Sequence, residues 1–375
     1  MTDITNPEDE WTAYKHLIPT AALGDLYDTI ADCTEAIHRR PNDAEAYYNR
    51  GIAFCQAGNH DRAIHDFKEV IRLKPDSAMA YHQLGGAYAR KGDIDRANAS
   101  FSDAIRHKLD HIEPYYMRGI GYAKKGNLDQ ALADFNEVIR RKPDCAEAYG
   151  SRGLVYIERA GRGYFELVQP ATGPEYPARK AALDSAVADF SEAIRLKPDL
   201  AQAYSDRGRA HAKQGDPDRA ITDCNQAIRL NPRFARAYQN RGICYVMKAD
   251  LGKAIADFSV AIRLDSAHAA SYRNRGFAWA QTGDLDQAIA DYIVAIRLEP
   301  DVAENYQLRA LAYQQKGQSE RAVLDFRKAQ ELARTEVSPV VVQDAGDRIG
   351  KKTCQNCGKD INIYAIKCRF CKADL

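Results

Sequence analysis

The chain has 375 residues, of which 45% are hydrophobic, and its 53 basic residues nearly balance its 52 acidic residues. This balance predicts no strong field over the whole molecule, which argues against non-specific binding to nucleic acid or to a membrane surface. The acidic N-terminus has no apolar signal-peptide core, and no apolar run approaches the length of a membrane span. We therefore expect a cytoplasmic protein with no membrane partner.

A glycine recurs every 34 residues along most of the chain, with one longer step of 55 residues between Gly153 and Gly208. A fixed pitch of this length indicates one supersecondary unit copied in tandem. We number each copy so that this glycine is position 8; the first of eight full copies then begins at Ala44, and the eighth has Ala310 instead of glycine. The recurrent glycines are Gly51, Gly85, Gly119, Gly153, Gly208, Gly242 and Gly276.

The residue pattern of each copy predicts two helices joined by a tight turn. Position 4 is tyrosine in every full copy and position 11 is usually aromatic, so positions 4, 8 and 11 share one face of a first helix. A Gly-Asn or Gly-Asp pair such as Gly58-Asn59 then ends this helix and caps the next. The second helix has alanine at position 20 and mostly an aromatic residue at position 24, and proline closes many copies. Such hairpins bury their apolar stripes only against neighbouring copies.

This pattern closely resembles the tetratricopeptide repeat (TPR) family. The resemblance implies an all-α, right-handed superhelical solenoid of helix-turn-helix repeats, with the first helices lining a concave face. Residues 1–43 are predicted to be an N-terminal segment with a degenerate repeat, recognised from Tyr27 to Pro41, with Cys33 in the aromatic slot. Eight repeats follow over residues 44–336, and residues 337–350 are predicted to form a capping helix or linker.

Two charged positions vary together from copy to copy. Position 7 is arginine and position 23 is aspartate in the same seven copies, whereas copy two has Leu84 and Ser100 at these positions. This joint loss predicts an Arg–Asp pair bridging the two helices of each copy, because a half-buried lone charge would be costly. A pairing between neighbouring copies is the alternative.

The longer step comes from an insertion in copy four, at about residues 161–181, between its two helices. Its density of proline and glycine predicts an irregular surface loop. The loop either covers the groove or docks a partner, or it is a tolerated insertion without a function.

The predicted groove has two differently charged parts. Copies one to four contribute acidic and aromatic residues, namely Glu45, Tyr48, His82, Glu113, Tyr116 and Glu147. Copies five to seven contribute the basic residues Arg209, Lys213, Arg236 and Arg273. This basic lining predicts that a protein or peptide with an acidic stretch binds the C-terminal half of the groove.

The last 25 residues contain two Cys-x-x-Cys pairs, Cys354 with Cys357 and Cys368 with Cys371. Four thiolates satisfy a tetrahedral Zn²⁺ ion and leave no open position for a substrate. Residues 351–375 therefore resemble a small zinc ribbon holding one structural Zn²⁺. Iron and a redox-active dithiol pair are the alternatives. The other five cysteines are scattered and are predicted to be core residues.

No catalytic signature is visible, and we expect neither an enzyme nor a small-molecule substrate. The favoured function is a protein–protein interaction scaffold or adaptor, with the partner segment in the concave groove and a structural zinc module at the C-terminus. The alternative is a nucleic-acid-linked regulator whose zinc ribbon contacts DNA or RNA.

Overall fold

A computed structural model describes residues 23–108, 111–161 and 176–336 and two short strands. The described residues form helices throughout, apart from the strand pair. The helices are α1 (Leu23–Arg39), α2 (Ala44–Gln56), α3 (His60–Leu73), α4 (Ala78–Arg90), α5 (Ile94–Arg106), α6 (Glu113–Lys124), α7 (Leu128–Arg141), α8 (Ala146–Arg159), α9 (Tyr176–Leu196), α10 (Ala201–Lys213), α11 (Pro217–Leu230), α12 (Ala235–Met247), α13 (Leu251–Leu264), α14 (Ala269–Thr282), α15 (Leu285–Leu298), α16 (Ala303–Gln315) and α17 (Ser319–Glu336). The strands β1 (Lys351–Thr353) and β2 (Asp360–Asn362) pair antiparallel.

Helices α2 to α17 form eight consecutive hairpins, one for each predicted copy, and α1 occupies the place of a second helix in the degenerate copy. Each second helix before α17 also packs on the first helix of the next copy, so the hairpins of copies one to seven bury their apolar stripes between neighbours. The prediction of an all-helical repeat solenoid is confirmed. Its handedness stays a prediction, and the first helix of the degenerate copy lies outside the described residues.

The recurrent glycine at position 8 allows the two helices of a copy to touch. A Cβ atom on Gly242 would lie 2.7 Å from the ring of Phe258, the position-24 residue of the same copy. Phe258 is fully buried, so its ring has no free space to move into. In copy five, Gly208 instead approaches Cys224, whose smaller side chain occupies position 24.

The turn between the two helices depends on a left-handed residue at position 15. Glycine occupies this position in most copies, for example Gly215 with φ of 84°, followed by an Asp216 carboxylate that accepts from the amide of Arg219. Copy six has Ala249 there, with φ of 58°. A left-handed conformation costs alanine about 1 kcal/mol or more, so this turn is strained relative to the others.

Seven arginine–aspartate pairs, which we call clamps, each join the two helices of one copy. In copy six, Arg241 Nε and Nη2 each donate to one carboxylate oxygen of Asp257 at 2.7 Å, and Asp257 is 6% exposed. The prediction of a pair within each copy is confirmed for all seven. The paired residues are Arg50–Asp66, Arg118–Asp134, Arg152–Asp189, Arg207–Asp223, Arg241–Asp257, Arg275–Asp291 and Arg309–Asp325.

Six of these seven arginines, all except Arg309, also bond to the preceding copy. The remaining nitrogen, Nη1, donates to the residue at position 25 of that copy, as Arg118 does to Ser102 at 2.9 Å. Both the pairing within a copy and a contact between neighbours therefore occur, and the arginine joins three helices. Copy two has no arginine at position 7, and the preceding position 25 is Lys68, a cation that would have repelled one.

The irregular loop within the copy-four insertion is shorter than predicted. Helix α9 already begins at Tyr176, so residues 176–181 are helical rather than part of an irregular loop. Pro177 suits the first turn of a helix, and the alanines that follow it favour helix. Residues 162–175 and 337–350 lie outside the described residues.

Candidate functional site

The first helices of neighbouring copies contact one another directly, for example α8 with α10 and α10 with α12. Among the described residues, the principal contacts of the second helices are with first helices. A stack in which one set of helices is in closer mutual contact curves with that set on its inner side. The predicted groove residues all belong to these first helices.

Position 5 of one copy and position 6 of the next are hydrogen-bonded at two junctions. The hydroxyl of Tyr116 lies 3.0 Å from Ser151 Oγ, and Asn240 Nδ2 donates to Ser205 Oγ at 3.0 Å. The Tyr48 phenol is close to Gln83, whose side chain lowers the phenol's pKa against the larger effect of burial, which raises it. Position 6 was not among the predicted groove positions, although its polar residues were the available signal. These pairs link neighbouring first helices through their groove-facing side chains.

The predicted aromatic residues of copies one to three pack against the second helices of their own copies. The rings of Tyr48, His82 and Tyr116 pack against the position-24 phenylalanines with centroids 5.9, 5.8 and 5.7 Å apart. Tyr116 is only 7% exposed. Only the edges of these rings are therefore accessible to a partner. The exposed surface of these side chains is smaller than the sequence suggested.

His82 is a neutral group at physiological pH. Burial lowers the pKa of its imidazole from 6.5 to about 4, against a smaller opposing effect of Glu113. Its Nδ1 atom is buried without a hydrogen-bond partner among the described residues. The residue opposite it at position 6 of the next copy is Met117, which cannot supply a strong hydrogen bond.

The three predicted arginines of copies five to seven share an unusual property. Each has a buried nitrogen without a hydrogen-bond partner among the described residues, namely Arg209 Nε, Arg236 Nη1 and Arg273 Nε. No carboxylate within the described part of the chain forms an ion pair with Arg236. Arg273 is partly neutralised, because its Nε lies 3.4 Å from Glu304 and its Nη1 donates to Asn305 at 3.3 Å.

Lys213, the fourth predicted basic residue, is engaged by the start of the insertion. Its ammonium group donates to the carbonyl oxygen of Gly161 at 2.9 Å. The structure therefore separates Lys213 from the arginines in role. It holds residue 161 against the C-terminal end of α10.

Two buried acceptors also lack partners among the described residues, Asp206 Oδ1 and Asn274 Oδ1. Asp206 is 1% exposed, and its other oxygen accepts from Gln202 at 2.7 Å. The Nη2 atom of Arg209 lies 4.0 Å from Asp206 Oδ1, beyond hydrogen-bond range. Unpaired donors and acceptors thus accumulate along the first helices of copies five to seven. A buried polar atom without a partner has a desolvation cost that a suitable ligand removes.

The predicted zinc ligands Cys354, Cys357, Cys368 and Cys371 lie outside the described residues. Strands β1 and β2 pair with Thr353 opposite Asp360, so residues 354–359 connect two adjacent chain ends. Elsewhere in the described ranges, no group of three or more potential ligands is found. The other five cysteines are free thiols, and burial raises the pKa of Cys244 to about 12.

In the described part of the chain, no helix has the length and apolar character needed to cross a bilayer.

Models of the tetratricopeptide repeat match five stretches of the chain: residues 44–77, 78–110, 116–163, 182–234 and 303–336. No curated protein matches it. Among solved structures, a tetratricopeptide repeat protein from Parabacteroides merdae ATCC 43184 is 20% identical with a TM-score of 0.59, over 72% of this chain and 98% of that one.

The Cut9–Hcn1 hetero-tetramer of APC/C is 15% identical with a TM-score of 0.55, and the match covers 81% of this chain but only 56% of that one. YrrB, a TPR protein with an unusual peptide-binding site, is 21% identical with a TM-score of 0.44, over 55% of this chain and 95% of that one. At these identities the similarity concerns the fold alone. The eight hairpins, their recurrent residues and the matching repeat models together identify the chain as a member of the tetratricopeptide repeat family.

Proposed function

We propose that the chain is a protein-interaction scaffold that binds an extended acidic segment of a partner along the first helices of copies five to seven. Tetratricopeptide arrays generally serve as interaction scaffolds, and stacked repeats present long inner surfaces to their ligands. One observation carries the proposal: three guanidinium groups on this surface, those of Arg209, Arg236 and Arg273, keep buried nitrogens without partners among the described residues.

A carboxylate is the group that best satisfies such donors. Guanidinium groups bind carboxylates through short charge-assisted hydrogen bonds, often two at once. Arg236 contributes most, since no acidic side chain of the described residues pairs with it. Arg273 contributes least, because Glu304 and Asn305 already contact it. An acidic segment is therefore expected to be centred on copies five and six.

Charge reversal tests this binding. The variant Arg209→Glu/Arg236→Glu/Arg273→Glu is titrated with a short glutamate-rich peptide by calorimetry. We expect binding to weaken by at least about 100-fold, because attraction becomes repulsion at three points. Higher salt should weaken binding to the unmodified protein as well.

A matched control changes the same number of charges on the second helices. Arg229, Arg263 and Arg297 all lie at position 29 of copies five to seven and are exposed. Their joint replacement by glutamate should change the affinity only about twofold, since exposed charges away from the groove act mainly through weak long-range effects. Equal losses in both variants, or peptide binding that survives the groove reversal, would contradict the proposal.

We further propose that the C-terminal cysteines hold one structural Zn²⁺ ion. The donor set of Cys354, Cys357, Cys368 and Cys371 supports this, and so does the β1–β2 pair that brackets residues 354–359. When bound, the ion would fix the fold of this short segment. It would leave no open position for chemistry.

Metal analysis of the intact chain distinguishes the alternatives. One zinc per chain, lost in Cys368→Ser/Cys371→Ser, is the expected result. Iron in place of zinc would give a coloured protein, and a redox-active dithiol pair would leave the chain without metal. A gel shift of DNA or RNA that depends on these cysteines would instead favour the nucleic-acid function.

A further inference from the structure

The junction between copies four and five lacks a side chain that other junctions have. Position 5 of copy four is Gly150, where copies one and three have Tyr48 and Tyr116. Gly150 is partly exposed, and a Cβ atom added to it would meet nothing within 4 Å among the described residues. The absent side chain therefore leaves an open notch in the lining where α8 contacts α10.

The repeat register places Asp206 opposite this notch. At two other junctions the position-5 side chain and the position-6 residue of the next copy are hydrogen-bonded, namely Tyr116 with Ser151 and Ser205 with Asn240. Asp206 is the position-6 residue of copy five, so its counterpart is Gly150. This accounts for its unpaired oxygen: Oδ1 is buried without a partner among the described residues because the group that would meet it is missing.

An unpaired donor also lies on the residue one helical turn from Asp206. Arg209 Nε is buried without a partner within the described part of the chain, and its guanidinium lies 4.0 Å from Asp206 Oδ1. A hydroxyl group can donate to the carboxylate and accept from the guanidinium through one oxygen atom. An ammonium group offers only donors, and a carboxylate offers only acceptors.

The chain itself shows that a phenol fits this kind of place. The Tyr116 ring lies 5.7 Å from Phe135 while its hydroxyl reaches position 6 of the next copy, and copy four keeps Phe190 at position 24. We propose that the notch beside Gly150 receives a tyrosine side chain of the bound acidic segment, with its hydroxyl between Asp206 and Arg209. This inference rests on the proposed function of the groove.

Two peptides that differ by one oxygen atom test the proposal. A glutamate-rich peptide with a single central tyrosine is compared with the same peptide carrying phenylalanine, by calorimetry on the intact protein. We expect the tyrosine peptide to bind roughly tenfold more tightly, the value of one hydrogen bond to a charged group.

Filling the notch from within provides the matched variant. Gly150→Tyr supplies the missing side chain and should abolish the preference for the tyrosine peptide, whereas Gly150→Ala leaves the notch open and should retain it.

The outcomes separate the two proposals. If both peptides bind the unmodified protein equally, water satisfies the notch and the tyrosine inference is wrong while the groove function stands. If neither peptide binds, the proposed function itself fails. If Gly150→Tyr does not fold, the comparison of the two peptides on the unmodified protein still decides.

Discussion

Copies one to three and copies five to seven share one framework but differ in the lining of the groove. In the first group, position 5 is aromatic and packs on a second-helix phenylalanine. In the second group it is Ser205, Gln239 or Arg273, and unpaired donors and acceptors lie beside it. The arginine–aspartate clamps occur in both groups. Positions 7, 8 and 23 thus maintain the stack in both groups, while the residues at positions 2, 5, 6 and 9 differ between them.

The largest effect should come from breaking a clamp, and it should be similar in both groups. Asp257→Asn in copy six and Asp134→Asn in copy three each leave a half-buried guanidinium without its carboxylate. We expect each to lower the free energy of unfolding by about 4 kcal/mol. Chemical denaturation followed by circular dichroism measures the loss.

Copy two supplies the control for this experiment. The double variant Arg241→Leu/Asp257→Ser reproduces its Leu84 and Ser100, so no charge remains without a partner. It should cost markedly less than Asp257→Asn alone. A single variant no less stable than the double one would show that the clamp's charges are not what holds the copy.

An intermediate effect, dependent on pH, should distinguish His82 in the first group. Its folded pKa of about 4 lies below the ordinary value of 6.5, so the unfolded chain binds a proton between these values and the folded chain does not. The stabilising contribution is therefore present above pH 6.5 and is lost as the pH falls to about 4. At full effect it amounts to about 3 kcal/mol.

The variant His82→Tyr isolates this contribution, because Tyr48 and Tyr116 occupy the same position in the adjacent copies. The difference in unfolding free energy between the original chain and the variant should change across this window. The other charged or ionisable groups that act on His82, namely Glu113, His111 and Arg90, are common to both proteins. A difference that stays constant from pH 7 to pH 4 would contradict the burial of the imidazole.

The smallest effect should come from opening one junction of the first group. Tyr116→Phe removes the hydroxyl that meets Ser151 and should cost about 1 kcal/mol. Ser151→Ala tests the other partner, and a double-mutant cycle measures their coupling. Additive losses would show that the two side chains act independently, and the pairing of positions 5 and 6 would then lose its energetic basis.

The periodic residues were sufficient to predict the fold. Glycine at position 8 and the aromatic residue at position 24 predict one another, because the ring of Phe258 occupies the place where a Cβ on Gly242 would be. The Arg–Asp pair was predictable from its joint loss in copy two. The residue at position 25 of the preceding copy, which accepts a further bond from the arginine, was not predicted. The available signal was Lys68, which occupies this position in copy one, just before the copy that has no arginine.

The groove was predicted only in part. The basic charge of Arg209, Arg236 and Arg273 was evident from sequence, but the buried state of their nitrogens depends on packing between copies. Asp206 was missed because position 6 was not treated as groove-facing. The coincidence of Gly150 with Asp206 in the following copy was the available signal. The extent of the loop was overestimated because Tyr176 and Pro177 resemble loop residues while beginning a helix.

The hydrogen bond from a clamp arginine to the preceding copy makes the two ends of the stack different. Six of the seven arginines are held partly by the copy before their own, from Arg50 bonded to Thr34 in the degenerate copy to Arg275 bonded to Ser259 in copy six. The eighth copy lacks this hydrogen bond to the preceding copy, because the residue at the accepting position is Ile293, which cannot accept a bond from Arg309. Local unfolding should therefore begin at the C-terminal hairpin and proceed towards the N-terminus.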